Sequence, residues 1–325
     1  VWDLNPTDRE LFTRELDDFV PPRVFDAHAH LYDSAHLPVD RRPAGDAVCG
    51  AESYLHRVGA MLPGRELSGL FFPFPAVGVP LEAANRFLAE EVKRLDGSRG
   101  LMLVTPRTSL DEIRRGVEED GFVGLKCYHV YSDHRPTFDS EVEDFLPESQ
   151  VQLAGELGLV VMLHLVCSRA LAEKSNRDWI RATCRKYPRM RLILAHAARG
   201  FNPHHTIHGI DDLRGLENVW FDTSAVTECG AFEAILSVFG HRRLLYGSDF
   251  PVSHLRGRCV AICDTFVWLT PEDLPREVEY AMLSPALVGL ESLRVLKLAA
   301  RHTRLSDRQV EDVFYHNALA LWNDG

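Results

Sequence analysis

The sequence is poor in the features that mark several large classes of protein. It has no CxxC pair, no GxGxxG after its first apolar run and no GxxxxGK[ST] anywhere, so paired-thiol redox or zinc motifs and the glycine loops that cradle nucleotides are missing. No stretch approaches the roughly 18 uninterrupted apolar residues of a membrane span. The opening VWDLNPTDRELFTRELDDF is acidic and lacks the basic-then-apolar order of an export signal. Positive charge is also in deficit: 36 Lys and Arg stand against 47 Asp and Glu, a formal net charge of −11 with His neutral, which disfavours nucleic acid and membrane as partners. The seven Cys are an odd number scattered along the chain, which fits reduced thiols in a cytoplasmic, reducing compartment better than a disulfide framework. Cys259 and Cys263 stand four apart in the span 254–269, which reads as a helix, and form only a weak pair of soft ligands. The chain opens on Val1 and not Met, which leaves room for preceding residues.

What the sequence does have is histidine, 15 in 325 residues, in a chain that is 46% hydrophobic and 26% charged and therefore folded. After an opening helix, with Asn5 or Thr7 as cap and Pro21-Pro22 as stop, short apolar runs alternate with longer amphipathic stretches. Eight runs read as strands: 24–30, 67–75, 100–106, 122–128, 158–165, 191–196, 219–223 and 244–249. Helices are expected over 80–95, 109–119, 141–156, 174–186, 228–238 and 254–269, with further C-terminal helices and Ser306 as an N-cap. This alternation predicts an α/β fold, a single (β/α)8 TIM barrel spanning 1–325, with a helical extension over 1–23 and a core over about 24–322. A doubly wound open sheet is the alternative, disfavoured by the absent glycine fingerprints. The segment 31–66 is longer than a minimal connection and is placed to cover an active site.

Chemistry is expected where apolar runs end in polar residues. His28-Ala29-His30 closes the first run, and a spacing of two puts both imidazoles on one side of a strand. Lys126 in VGLKCYH, His164 in VVMLHL, His196 in LILAHAARG and Asp249 in LLYGSDFP occupy equivalent positions. Buried and unpaired, such groups are costly, so either one shared ion site or a set of satisfied hydrogen bonds closing the barrel accounts for them. Nitrogen and oxygen ligands suit a divalent metal, with Zn as the default and Mn, Fe or Co as alternatives. A metal there lowers the pKa of bound water, with Asp249 to hold or accept the proton and His196 to position a substrate oxygen. Lys126 reads in two ways: carboxylated by carbon dioxide it bridges two metals, and unmodified it holds a substrate carboxylate.

The ordered set DAHAH, GLKCY, MLH, LAH and YGSDFP resembles the amidohydrolase superfamily, in its amidohydrolase-2 branch, over Val24 to Trp322. The resemblance implies His28, His30, His164 and Asp249 as metal ligands, with His196 either a ligand to a second metal or an unliganded catalytic residue. It places Lys126 at the position of the carboxylated lysine of binuclear members, so one or two metals fit. Relatives of this kind hydrolyse amides or lactones or decarboxylate aromatic acids. The decarboxylase-like ones follow the strand-six His with Gly-Glu, where this chain has Ala197-Ala198-Arg199-Gly200. The implied activity is thus metal-dependent hydrolysis of a small lactone, ester or amide of an organic acid. A non-oxidative decarboxylase and an inactive metal-stabilised binding protein are the alternatives. Arg169, Arg199, Tyr128 and His129 are candidates to bind an anionic small-molecule substrate. Apolar helices near 281–299 leave a homodimer open.

Overall fold

The computed structural model describes residues 2–43, 45–273 and 285–323. Eight parallel strands follow chain order around one sheet: β1 Arg23–His30, β2 Glu66–Phe72, β3 Arg99–Leu103, β4 Gly124–Cys127, β5 Val160–Leu163, β6 Arg191–Leu194, β7 Val219–Asp222 and β8 Leu244–Leu245. All eight lie within or beside the runs read as strands. The sheet closes on itself just beyond β8, where Tyr246 O accepts from Ala27 N at 2.8 Å, Asp249 N donates to His28 O at 2.7 Å and His30 N donates to Phe250 O at 2.8 Å. The fold is therefore an α/β TIM barrel.

Period-two alternation decides what fills it. Phe25, Ala27, Leu70, Phe72, Leu101, Val160, Met162, Ile193, Trp220 and Leu245 form one apolar cluster inside the barrel, which Ala318 and Leu321 join. Their neighbours Val24, Leu125, Val161, Leu163, Leu192, Leu194, Val219, Phe221 and Leu244 belong to the second cluster. The helices include α1 Pro6–Leu11, α2 Ala51–Met61, α3 Leu81–Val92, α4 Leu110–Glu118, α5 Glu148–Leu157, α6 Lys174–Lys186, α7 Pro203–Gly209, α8 Cys229–Phe239 and α9 Val288–His302. Asn5 caps α1 in a capping box with Asp8, and Ser306 caps the helix that starts at Asp307.

Two expectations are corrected. The span 254–269 is not a helix but an antiparallel hairpin, β9 Arg258–Ile262 paired with β10 Thr265–Leu269. Its turn carries Cys263 at φ 50°, and Asn202 Nδ2 donates to the carbonyls of Cys263 and Thr265 at 3.0 and 2.8 Å, a tertiary clamp that overrides the local helical reading. Cys259 is then buried and Cys263 exposed, and all seven thiols are free. The helix expected over 141–156 starts only after Pro147, with a short turn at Val142–Asp144 before it. Residues 281–284 of the apolar stretch considered for a dimer lie outside the described residues. Among the described residues no helix is long and apolar enough to cross a membrane.

Close packing of β4 against β5 gives opposite expectations for two glycines. A Cβ on Gly124 would fall 2.0 Å from Val160 O, whereas one on Gly59, inside α2, would meet nothing nearer than 4.0 Å. Gly124→Ala should therefore lower stability by at least ~1–3 kcal/mol, and Gly59→Ala should raise it by ~1 kcal/mol through helix propensity. Urea unfolding midpoints check both signs, and equal shifts would contradict this packing.

Candidate active site

The inward parity that stacks apolar side chains in the barrel ends, strand by strand, in polar ones. On β5 the series Val160, Met162 leads to His164, on β7 Trp220 leads to Asp222, and on β8 Leu245 leads to Asp249 two steps further. Lys126 is likewise buried on β4, with Nζ 4.6 Å from the centre of the Phe72 ring. Three histidines are out of phase with this rule, and local backbone distortion brings each one in. The β1–β2 register breaks between Asp26 and Ala29, which switches the strand's parity so that His28 and His30 replace Ala29 on the inner side. His196 is delivered by a left-handed turn in which His196, Ala197, Ala198 and Arg199 have φ of 57, 53, 61 and 57°. Each L-residue held there costs ~1–2 kcal/mol, so the turn persists only because it is tied down. Asp222 Oδ1 accepts from His196 N at 2.9 Å, Thr206 Oγ1 donates to Ala197 O at 3.0 Å, and the Arg199 guanidinium donates to Cys167 O.

The four imidazoles share one hydrogen-bonding habit. His28 Nδ1 lies 2.9 Å from Asp222 Oδ2, His30 Nδ1 3.2 Å from Pro73 O, His164 Nδ1 2.9 Å from Leu165 O, and His196 Nδ1 3.0 Å from Ser224 O. Every one of these partners is a carbonyl or carboxylate oxygen, which can only accept. Each Nδ1 therefore carries a proton, and in the neutral ring Nε2 presents its lone pair. Two of those Nε2 atoms converge on Asp249 Oδ1, His28 at 3.4 Å and His30 at 3.5 Å, while His196 Nδ1 is 3.9 Å from Oδ2. His28, His30 and Asp249 have ligand atoms within 4.8 Å of one another, as do His28, His196 and Asp222. The donor set and its spacing fit a divalent metal ion.

Burial sets the protonation. It pushes His28 down to about 4 against the pull of Asp222, and it also lowers His30 and, strongly, His164. Burial works to raise Asp222 and Asp249, but the imidazoles around them hold both below the ordinary carboxylate range. Lys126 falls to about 8 because its ammonium is desolvated. Beneath this layer Asp26 accepts from Ser248 N at 2.8 Å, His28 N at 3.1 Å and Tyr54 OH at 3.1 Å, and burial pushes it up to about 7.

A cavity of about 490 Å³ opens over the cluster and is lined by His28, His30, Lys126, Tyr128, His129, His196 and Asp249 together with Arg41, Phe74 and Phe138. Thus seven of the residues singled out in the sequence meet at one concavity, Tyr128 and His129 among them, and the ring of His164 lies 5.2 Å from that of His196. Arg169 and Arg199 do not line it. Arg169 Nε is 2.9 Å from Asp264 Oδ2 on the hairpin turn, and Arg199 is buried with its guanidinium 4.6 Å from the Phe138 ring centre. Sequence reading missed Asp222, Ser224 and Arg41. Asp222 carried the same signal as the residues that were chosen, a carboxylate ending the apolar run VWFD.

A TIM barrel with buried His and Asp converging at the carboxyl ends of its strands is an arrangement that suits a divalent metal ion. The amidohydrolase family (amidohydrolase 2) matches residues 25–323, and the chain belongs to that family. A curated relative, the L-fucono-1,5-lactonase of Burkholderia ambifaria, is 29% identical over 132 residues, covering 33% of this chain. The chain spans about half the length of that relative, 46%. An amidohydrolase from Burkholderia multivorans with bound Zn superposes with a TM-score of 0.59 at 16% identity, over 92% of this chain and 99% of that one. The 2,6-dihydroxybenzoate decarboxylase from Rhizobium does so with 0.57 at 16%, over 94% and 100%. At such identities the likeness is one of fold.

Asp222 is the acceptor for His28, His196 N, Ser224 N and Ser224 Oγ. Asp222→Ala strands these buried donors, so metal-free protein should lose at least ~3 kcal/mol of unfolding free energy. Denaturant titration after chelation checks this, and an unchanged midpoint would show that the left-handed turn stands without the carboxylate.

Proposed function

We propose that the protein is a metal-dependent hydrolase that opens a small lactone, ester or amide of an organic acid. The observation that carries the reading is the uniform Nδ1 engagement of His28, His30, His164 and His196, with the Nε2 atoms of His28 and His30 turned to Asp249 at 3.4 and 3.5 Å. His28, His30 and Asp249 would hold a first ion, with His164 close by, and His196 and Lys126 would serve a second one if Lys126 is carboxylated. Burial lowers Lys126 to about 8, which raises the fraction of the neutral amine that carbon dioxide requires. Zn is the expected ion, since a related fold carries it. When bound, such an ion supplies Lewis acidity and acidifies a coordinated water.

The chain's own groups do the rest. Asp249 carboxylate takes the proton that the nucleophilic water gives up and returns it to the leaving oxygen or nitrogen. His196, fixed through Nδ1 to Ser224 O and to Ser224 Oγ at 2.8 Å, orients the substrate carbonyl. Lys126, when unmodified, pairs with a substrate carboxylate, as does Arg41 at the mouth, while Tyr128, His129, Phe74 and Phe138 flank the ring or chain. Arg199 acts by bracing the left-handed turn, and Arg169 by bracing the hairpin over it. The partial match to a lactonase supports the hydrolytic choice.

Purified protein should contain one or two divalent metals per chain by elemental analysis, and His28→Ala/His30→Ala should lose them. Metal content unchanged in that variant would remove the proposed site. Asp249→Asn should cut turnover by ~10²–10⁴-fold while the far-ultraviolet spectrum stays that of the folded barrel. A panel of lactones, esters and amides run beside aromatic acids separates the chemistries. Ring opening or acid release supports hydrolysis, and carbon dioxide release from an aromatic acid would replace that reading with decarboxylation. Chelation should abolish whichever activity is found, and full activity in metal-free protein would contradict both.

A further inference from the structure

A second concavity, of about 720 Å³, lies where several strands begin, and it shares no lining residue with the catalytic mouth. Arg191 opens β6, Trp220 stands second in β7, Arg243 directly precedes β8, and Arg185 and Arg189 flank the end of α6. This is the amino-terminal face of the barrel, opposite the end where His28 and Asp249 meet. Four guanidiniums line the cleft against one carboxylate, that of Glu217, in a chain whose formal charge is −11.

Several arginines of this protein are paired with acids. Arg57 takes both Asp3 and Asp46, Arg256 takes Asp8, and Arg177 takes Asp212. Arg185, Arg189 and Arg191 have no carboxylate within 4.0 Å among the described residues. Their backbone is nevertheless fixed. The Asn218 amide donates to Cys184 O, Tyr187 O and Met190 O at 3.1, 3.2 and 2.9 Å, pinning the turn that carries them. Arg191 is anchored through Gly158 O, and the Arg243 guanidinium lies 4.5 Å from the centre of the Trp220 ring. Like charges gathered on a rigid frame repel one another, and a bound anion with several oxygens relieves that repulsion while each planar guanidinium can grip two oxygens at once. The volume falls within the ~300–1,000 Å³ of small-molecule sites, which fits a metabolite-sized ligand.

We propose that this cleft binds a small multivalent anion carrying two or more phosphate or carboxylate groups, at a site separate from the catalytic mouth. The inference is independent of the hydrolase reading, because it uses none of the same residues. Isothermal titration of the full chain with fructose bisphosphate, and separately with tricarballylate, tests it. One molecule should bind per chain, and Arg185→Gln/Arg189→Gln, both exposed positions, should weaken binding at least tenfold. A remote pair with the same charge change, Lys93→Gln/Arg94→Gln, should leave the affinity within twofold. The tighter of the two ligands identifies whether phosphate or carboxylate is the group recognised. Absence of binding by both ligands, unchanged affinity in the Arg185/Arg189 variant, or an equal loss in the remote control would each overturn the proposal.

Discussion

The buried carboxylate of Asp222 is the constraint on which the mouth of this barrel depends. One oxygen faces His28 Nδ1, and the other accepts from His196 N, Ser224 N and Ser224 Oγ. A single side chain at the end of β7 thus fixes the tautomer of a histidine on β1, the start of a left-handed turn after β6 and the serine that orients the imidazole of His196. These groups are far apart in sequence and meet only because the sheet closes. Barrel closure and site assembly are the same event, since the bonds that join β1 to the segment after β8 run through His28 O and Asp249 N.

Strain is concentrated at the same end. Besides the four residues of the turn, Cys167, Ala170, Ala225 and Asp249 hold positive φ, all of them just beyond strand ends around the mouth. Such conformations cost ~1–3 kcal/mol each unless their surroundings enforce them. Here the enforcement is visible: the Arg199 guanidinium bonds to Cys167 O and lies on Phe138, so the loops after β4, β5 and β6 are locked to one another. The lower part of the barrel needs none of this, because Phe25, Leu70, Met162 and Ile193 simply fill it at regular period-two positions.

That contrast explains what was legible in the sequence. Eight strands and most of the helices could be read because apolar alternation and capping are local signals, and Lys126, His164 and Asp249 could be read because a polar residue interrupts that alternation. The hairpin at Arg258–Leu269 could not, since a distant amide, Asn202, holds its turn. Arg199 reads in the sequence as a candidate to bind an anionic substrate because nothing local shows that its guanidinium is consumed by Cys167 O. Asp222 ends VWFD as Asp249 ends LLYGSD, yet its role becomes visible only when the closed sheet brings His28 and His196 to it.

The charges at the mouth carry the argument one step further. Asp222 and Asp249 are buried and held below the ordinary carboxylate range, which requires positive charge nearby. The imidazoles supply it, His28 chiefly for Asp222 and His196 chiefly for Asp249, although burial lowers His28, His30 and His164 and so works against their charge. Lys126 is pushed down to about 8 and its Nζ lies over the face of Phe72. Carboxylates and desolvated imidazoles packed this closely in a low-dielectric pocket sustain each other's charge only at a cost. A divalent cation held by His28, His30 and Asp249 would replace that proton-borne charge with a permanent one, Asp222 staying behind His28 as its hydrogen-bond partner. With such an ion in place, part of the carboxylate charge at the mouth would be offset, and Lys126 and Arg41 in the cavity lining would then favour an acid.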